Sequence, residues 1–319
     1  MLRRAWQSSM IAAARSPRIK HFMQTSRATS FLADKYVAGK TAADGVARAR
    51  RLMEEAGIRS SLFYMGEYVD RLDLVEENVA QKLAAVDALG ATTLDIHVSV
   101  DPTQIGYQID PSLVQPRAER IARAMAERAD GRGGVTCLMF DMEDASVTGP
   151  TIAMHDALQD AGLPTALTLQ AYLRRTEADM AAQAARGSRV RLVRGAFAEG
   201  REIAYTTTPD IKDSYRRLLD AMFSAEARAA GFYPIVATHD TALHDHAIAA
   251  AEAGGWPKGS YEFEMLLGVR EDVARALAGR GEQVRLYVPF GENWWPHAVR
   301  RIGEYPGNAL LLARSLLGG

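Results

Sequence analysis

The sequence has one cysteine, no long apolar run, no excess of either charge and no glycine-rich nucleotide fingerprint, and each lack excludes something. Cys137 is alone in 319 residues, so an internal disulfide framework and a multi-cysteine metal site are both ruled out, and a reducing compartment fits best. It lies in an apolar run and reads as inert core. No stretch reaches the roughly 18 to 20 uninterrupted apolar residues that span a bilayer, which leaves peripheral contact as the only membrane role to consider. With 38 basic and 39 acidic residues the net charge is -1, giving no bulk field to draw in nucleic acid. Gly131, Gly133 and Gly134 sit in a polar turn and fail the G-x-G-x-x-G spacing, so an open doubly wound sheet binding a nicotinamide cofactor has no support. Residues 1–33 carry Arg, Lys and Ser but no acid before Asp34. That suits a transit peptide superficially, but an amphipathic basic helix packing on the domain is the reading adopted, with a cytoplasmic location, or a peripheral one on the inner membrane face.

What is present is apolar: 48% hydrophobic residues, enough for a large core. Eight short runs rich in β-branched and aromatic residues recur at 60–66, 92–100, 135–142, 165–172, 189–196, 234–240, 261–268 and 284–291. Each leads into a longer amphipathic segment with helical spacing. Runs that are continuous rather than alternating suit strands buried on both faces, and eight parallel strands are enough to close a sheet. The prediction is an α/β fold, a (β/α)8 TIM-like barrel over 51–319, with a helical arm over 1–50 packing on or capping it. No internal repeat or low-complexity linker marks a further domain.

Barrel enzymes carry reacting groups at the C-terminal ends of their strands. The polar residues closing these runs are Glu67, Asp101, Asp141 with Glu143 and Asp144, Gln170, Arg194, His239 with Asp240, and Glu264. Asp144 and Asp240 can be plain helix caps; polar ends on most runs are not explained by capping alone. After the eighth run, Pro296 opens a helix on which His297, Arg300, Arg301 and Glu304 share one stripe. On an arbitrary helix this would be a solvated face with an Arg300–Glu304 pair worth a few tenths of a kcal/mol. At a barrel mouth, adjacent arginines make a fork for a small carboxylate.

At this point the sequence resembles a known family. Leu286-Tyr-Val-Pro-Phe-Gly291 followed by Arg300-Arg301-x-x-Glu304 is similar to the last strand and helix of the proline dehydrogenases. In chain order, the stretches at 35–39, 140–144, 169–172, 190–196, 237–240 and 263–268 resemble other parts of the same family. The resemblance implies a distorted (β/α)8 barrel that binds FAD, takes a hydride from the carbon beside the proline nitrogen and passes electrons to a membrane quinone. It implies that Gln170, Arg191, Val193, Arg194, Gly195, Ala196, Thr238 and His239 hold the flavin, with Met142 and Glu264 as further candidates. Arg191 would lie near the reacting edge of the flavin, and Asp141 matches the active-site aspartate. Arg300 and Arg301 would clamp the substrate carboxylate, Glu304 would orient them, and Tyr287 and Leu266 would shape the pocket.

Three positions depart from the pattern. Asp101 stands where the family has a lysine at the end of the second strand, Phe197 stands for a tyrosine, and His297 for another. Near a substrate the first swap cannot be neutral, since a unit pair at roughly 4 Å and an effective dielectric of about 20 is worth about 4 kcal/mol. Either the substrate is an N-alkylated or hydroxylated proline whose cationic nitrogen or hydroxyl meets Asp101, or Asp101 pairs with Arg300 or Arg301 and proline remains the substrate. With the chain ending at Gly319, the imine product is expected to be released. The rival readings are a metal-dependent barrel hydrolase using His97, His239, His244 and His246, and a barrel that binds ligand without turnover. The spacing of those histidines speaks against the first, because His244 and His246 fall in a helical stretch and His97 inside a strand. Retention of Arg191, Asp141 and the arginine pair speaks against the second.

Overall fold

The computed structural model describes residues 35–66 and 69–294. Eight parallel strands close on themselves in chain order, β1 pairing with both β2 and β8. They are β1 (Arg59–Tyr64), β2 (Ile96–Val100), β3 (Thr136–Phe140), β4 (Thr165–Gln170), β5 (Arg189–Val193), β6 (Tyr233–Ala237), β7 (Glu262–Leu266) and β8 (Val284–Phe290). The helices are α1 (Ala42–Ala56), α2 (Leu72–Gly90), α3 (Val114–Ala129), α4 (Ala145–Asp160), α5 (Thr176–Ala185), α6 (Thr208–Met222), α7 (Ala225–Ala229), α8 (Thr241–Ala253) and α9 (Glu271–Gly279). The closed α/β barrel expected from the eight runs is thus observed. Helix α1 crosses the 50/51 boundary and packs on β1 and β8. It starts at a reciprocal cap, Thr41 accepting from the Asp44 amide while Asp44 accepts from the Thr41 amide, and stops at Gly57 in the left-handed region with φ 63°.

The second run begins later than its composition suggests. Residues 92–95 are a turn rather than strand, because the Thr92 hydroxyl donates to Leu89 O at 2.8 Å and accepts from the Leu94 amide at 3.1 Å, closing the end of α2. Asp144 and Asp240 cap α4 and α8, as the capping reading has it.

Every second strand residue faces the bore, and these residues stack as a sandwich of polar and apolar layers. At the N-terminal end, Arg285 donates to Glu262 Oε1, to Asp95 Oδ2 and to Ser60 O, each at 2.8 Å, and is fully buried. Gln283 donates to the second Glu262 oxygen at 2.9 Å, and Arg189 lies over the Tyr233 ring at 4.1 Å. Cys137, Met139, Ala166 and Ile235 form a separate fully buried cluster within the bore. Burial pushes the Cys137 thiol up to about 12, so it stays protonated and unreactive, as an inert core cysteine should. His97 is buried in the same interior with neither ring nitrogen bonded among the described residues, and burial plus the Arg285, Arg189 and Arg191 cations hold its pKa well below 6.5, so it is neutral. The second polar layer is at the C-terminal end. Outside the barrel, alternate strand residues pack with the helices in the main core, which includes Leu62, Val98, Phe140, Leu167, Leu192, Val236, Phe263 and Val288.

Candidate active site

The C-terminal layer is organised by Arg191 of β5. Its Nε donates to Thr168 Oγ1 at 3.0 Å, Nη1 to Glu264 Oε1 at 3.1 Å, and Nη2 to Asp141 Oδ1. Thr168 is on β4, Glu264 on β7, and Asp141 immediately follows β3, so one guanidinium ties four strands together. A planar fork with several fixed donors does this where a lysine could not. Ser61 of β1 donates to the same Glu264 oxygen at 3.0 Å, while Glu264 Oε2 is buried without a hydrogen-bond partner among the described residues. Tyr287 of β8 donates its hydroxyl to Asp141 Oδ2 at 2.7 Å. Its ring is 5.5 Å from the Arg191 guanidinium carbon and 5.2 Å from the Phe63 ring. Asp141, Arg191 and Glu264 are 9%, 5% and 3% exposed, so their charges act in a poorly screened environment. Leu266 is half-buried beside Tyr287 in the β7–β8 register.

A second polar group adjoins it at the end of β2. Asp101 is half-buried. Glu143 accepts from the Thr103 amide at 3.0 Å and from its hydroxyl at 2.6 Å, and burial, reinforced by the charge of Asp101, pushes its pKa up to about 7. Gln170 is buried and donates to Glu143 O at 2.7 Å. A carboxyl whose folded pKa exceeds its ordinary 4.5 gives stability that is fully present below pH 4.5 and lost as pH rises through 7. Glu143→Gln removes that loss, its oxygen still accepting from the Thr103 amide while its own amide donates to the Thr103 hydroxyl. The wild type is therefore expected to weaken relative to the variant by about 2–3 kcal/mol between pH 4 and pH 8, read by urea unfolding across pH. A parallel pair of curves would show that Glu143 titrates normally.

The remaining expected residues are spread around the mouth. Val193 and Gly195 are half-buried, and Arg194 and Ala196 are exposed, with Arg194 donating to Thr208 Oγ1 at 3.3 Å. Gly195 needs its φ of +97°, and a Cβ there would lie 2.1 Å from the Tyr172 ring. Thr238 accepts from the Asp240 amide through its hydroxyl at 3.1 Å, and the His239 carbonyl accepts from Arg270 at 2.8 Å.

Two expected residues lie elsewhere. Met142 packs into the main core rather than the mouth, because strand alternation turns it away from the side to which Asp141 points. Phe197, 42% exposed, lines an open groove with Asp144, Arg174, Glu199 and Ile203, a cavity that includes neither Asp141 nor Arg191. Glu67, His297, Arg300, Arg301 and Glu304 lie outside the described residues.

Sequence reasoning missed Ser61, Thr168 and Lys82. The first two are small inward-facing hydroxyls inside strands, with no signal of their own. Lys82 had one: it interrupts the apolar stripe Val75, Val79, Val86 and Leu89 of α2. As for the histidines, His244 sits in α8 with Nε2 2.9 Å from Thr238 O, and His246 in the same helix is 2.7 Å from Asp220. Among the described residues no three of His, Cys, Asp or Glu are grouped to hold a metal, and no helix is long and apolar enough to cross a membrane.

The proline dehydrogenase family model matches residues 46–309, well over half of the chain. A proline dehydrogenase of Deinococcus radiodurans is 29% identical over 321 residues, covering 100% of both chains. Proline dehydrogenase 2 of Bacillus subtilis is 26% identical over 276 residues, covering 86% of this chain and 87% of that one. Among solved structures, proline utilization A of Bdellovibrio bacteriovorus superposes with a TM-score of 0.75 at 19% identity over 86% of this chain. That of Corynebacterium freiburgense does so with a TM-score of 0.72 at 20% identity over 98% of it. These share the fold, and the present chain spans about a third of their length, 32% and 34%. With a barrel of the expected topology and a family match across it, the chain belongs to the proline dehydrogenase family.

Proposed function

We propose that this oxidoreductase, whose family acts on the CH–NH group of proline, uses FAD to oxidise L-proline or an N-alkylated or hydroxylated analogue to the cyclic imine, with a quinone as final acceptor. The observation that carries the reading is the Arg191 cluster: a buried cation at the C-terminal mouth, locked by Asp141, Glu264 and Thr168. The residues present fit a flavin. Arg191 offers a fixed positive charge, Glu264 Oε2 is a buried acceptor with no hydrogen-bond partner among the described residues, and Gly195 lets the backbone after β5 run close over Tyr172. Gln170, Arg191, Val193, Arg194, Gly195, Ala196, Thr238, His239 and Glu264 would hold it. When bound, FAD supplies the two-electron acceptor that the twenty side chains lack.

The protein's own part is positional and electrostatic. Arg191 favours negative charge at the mouth, and Asp141 and Glu264 keep it from turning away. Phe63, Tyr287 and Leu266 make one wall apolar, which excludes water from the reacting C–H bond. Arg300 and Arg301, oriented by Glu304, would take the substrate carboxylate and so fix which ring carbon is presented, with His297 beside them. Asp101 is the group that decides between proline and an analogue. Electron delivery to a quinone requires a peripheral approach to a membrane surface.

The test is an anaerobic absorption titration of the purified protein with L-proline, N-methylproline and hydroxyproline. Bleaching of the visible flavin band by L-proline is the expected result. A band bleached only by an analogue would shift the substrate to that analogue, and a protein that neither carries nor takes up flavin would overturn the reading.

A further inference from the structure

Lysine is the side chain least suited to the buried face of a helix, yet Lys82 of α2 is 0% exposed. Its ammonium reaches the C-terminal end of β2, donating to Ser99 O at 3.2 Å and to Gln104 Oε1 at 2.7 Å, 5.3 Å from the centre of the Phe63 ring. That ring is the one packed on Tyr287, so the nitrogen arrives at the edge of the Arg191 pocket rather than in the outer core. Gln104 donates in turn to Tyr64 O at 3.2 Å, and Asn78 donates to Gln104 O at 3.3 Å, which ties the 3-10 turn Pro102–Ile105 to β1 and α2.

Burying an ammonium is costly, and burial pushes this one down to about 8, with the charge of Asp101 acting the other way. Two hydrogen bonds to neutral oxygens could be met by a neutral donor. The Asp101 carboxylate lies between these two anchor points in sequence, and β2–β3 pairing brings it beside Asp141: Ser99 is in register with Met139, and the Asp141 amide bonds Val100 O.

We propose that Lys82 is a positioning residue of the active site: from helix α2 it holds the end of β2 and the following turn, and so places Asp101, and with it the charge of the pocket wall, beside Asp141. The proposal rests on the oxidoreductase reading for its consequence in catalysis, but not for the coupling itself. The coupling is tested first, by following the Lys82 side-chain NMR signal against pH in the full chain and in Asp101→Asn. The expected result is a Lys82 midpoint lowered by about one unit in the variant; an unmoved midpoint overturns the proposal.

The consequence is tested with Lys82→Met, Asp101→Asn and the double variant. Lys82→Met should raise KM for the accepted substrate about tenfold with kcat little changed, and adding Asp101→Asn should cost almost nothing more, because Lys82 acts through the placement of Asp101. Effects that multiply in the double variant, or a loss confined to kcat, would show that Lys82 does not act through Asp101. If the flavin reading itself fails, no turnover is seen in any of the four proteins, while the titration still decides the coupling.

Discussion

Arg191→Met is expected to lower kcat/KM by about 10²–10³-fold and to cost about 3–5 kcal/mol of stability. Both losses have one cause. Removing the guanidinium leaves the Asp141 and Glu264 carboxylates, 9% and 3% exposed, without the cation that both face, and strips Thr168 of two donors. Arg191→Lys should rescue stability only in part, since one ammonium cannot reach Asp141, Glu264 and Thr168 together. Adding Asp141→Asn and Glu264→Gln to Arg191→Met should recover much of the stability and none of the activity. Steady-state kinetics and guanidinium unfolding on the same preparations separate the two. An Arg191→Met protein that turns over within tenfold of wild type would place the chemistry elsewhere.

The second large effect lies at the opposite end of the bore. Arg285→Met should cost about 3–5 kcal/mol, because Glu262 and Asp95 lose the cation that bonds both, and Arg285 is fully buried. Here kcat of the protein that remains folded should be unchanged, because the cluster of Cys137, Met139, Ala166 and Ile235 lies between this network and Arg191. Adding Glu262→Gln should return part of the lost stability by removing one unpaired charge. Measured with the same pair of assays, a fall in kcat matching that of Arg191→Met would mean that the two ends are not independent.

The strands were readable because each is buried on both faces, which leaves a continuous apolar signature, and their polar ends pointed to Asp141 and Glu264, whereas Arg191, in the middle of β5, came only from the family resemblance. What could not be read is parity. Asp141 and Met142 are neighbours at one strand end, and only the register of the sheet decides that the first enters the bore and the second the outer core. The same holds for Ser61 and Thr168, whose value comes from partners on other strands. Phe197 was placed by its neighbours in sequence, but the turn at Gly195 carries the chain outward before it. Lys82 shows the opposite limit: its oddity on an apolar stripe was visible, but its partners on β2 and in the next turn were not. The arginine pair that anchors the substrate proposal lies outside the described residues.

The stacked interior has a consequence for traffic. With Arg285, Cys137, Met139, Ala166 and Ile235 all fully buried across the bore, the barrel is a cup and not a tube. Whatever reaches Arg191 has to enter from the C-terminal rim, and whatever is made there has to leave past the same rim. Substrate and product therefore share one doorway, and the site has to be cleared through it before it can be filled again.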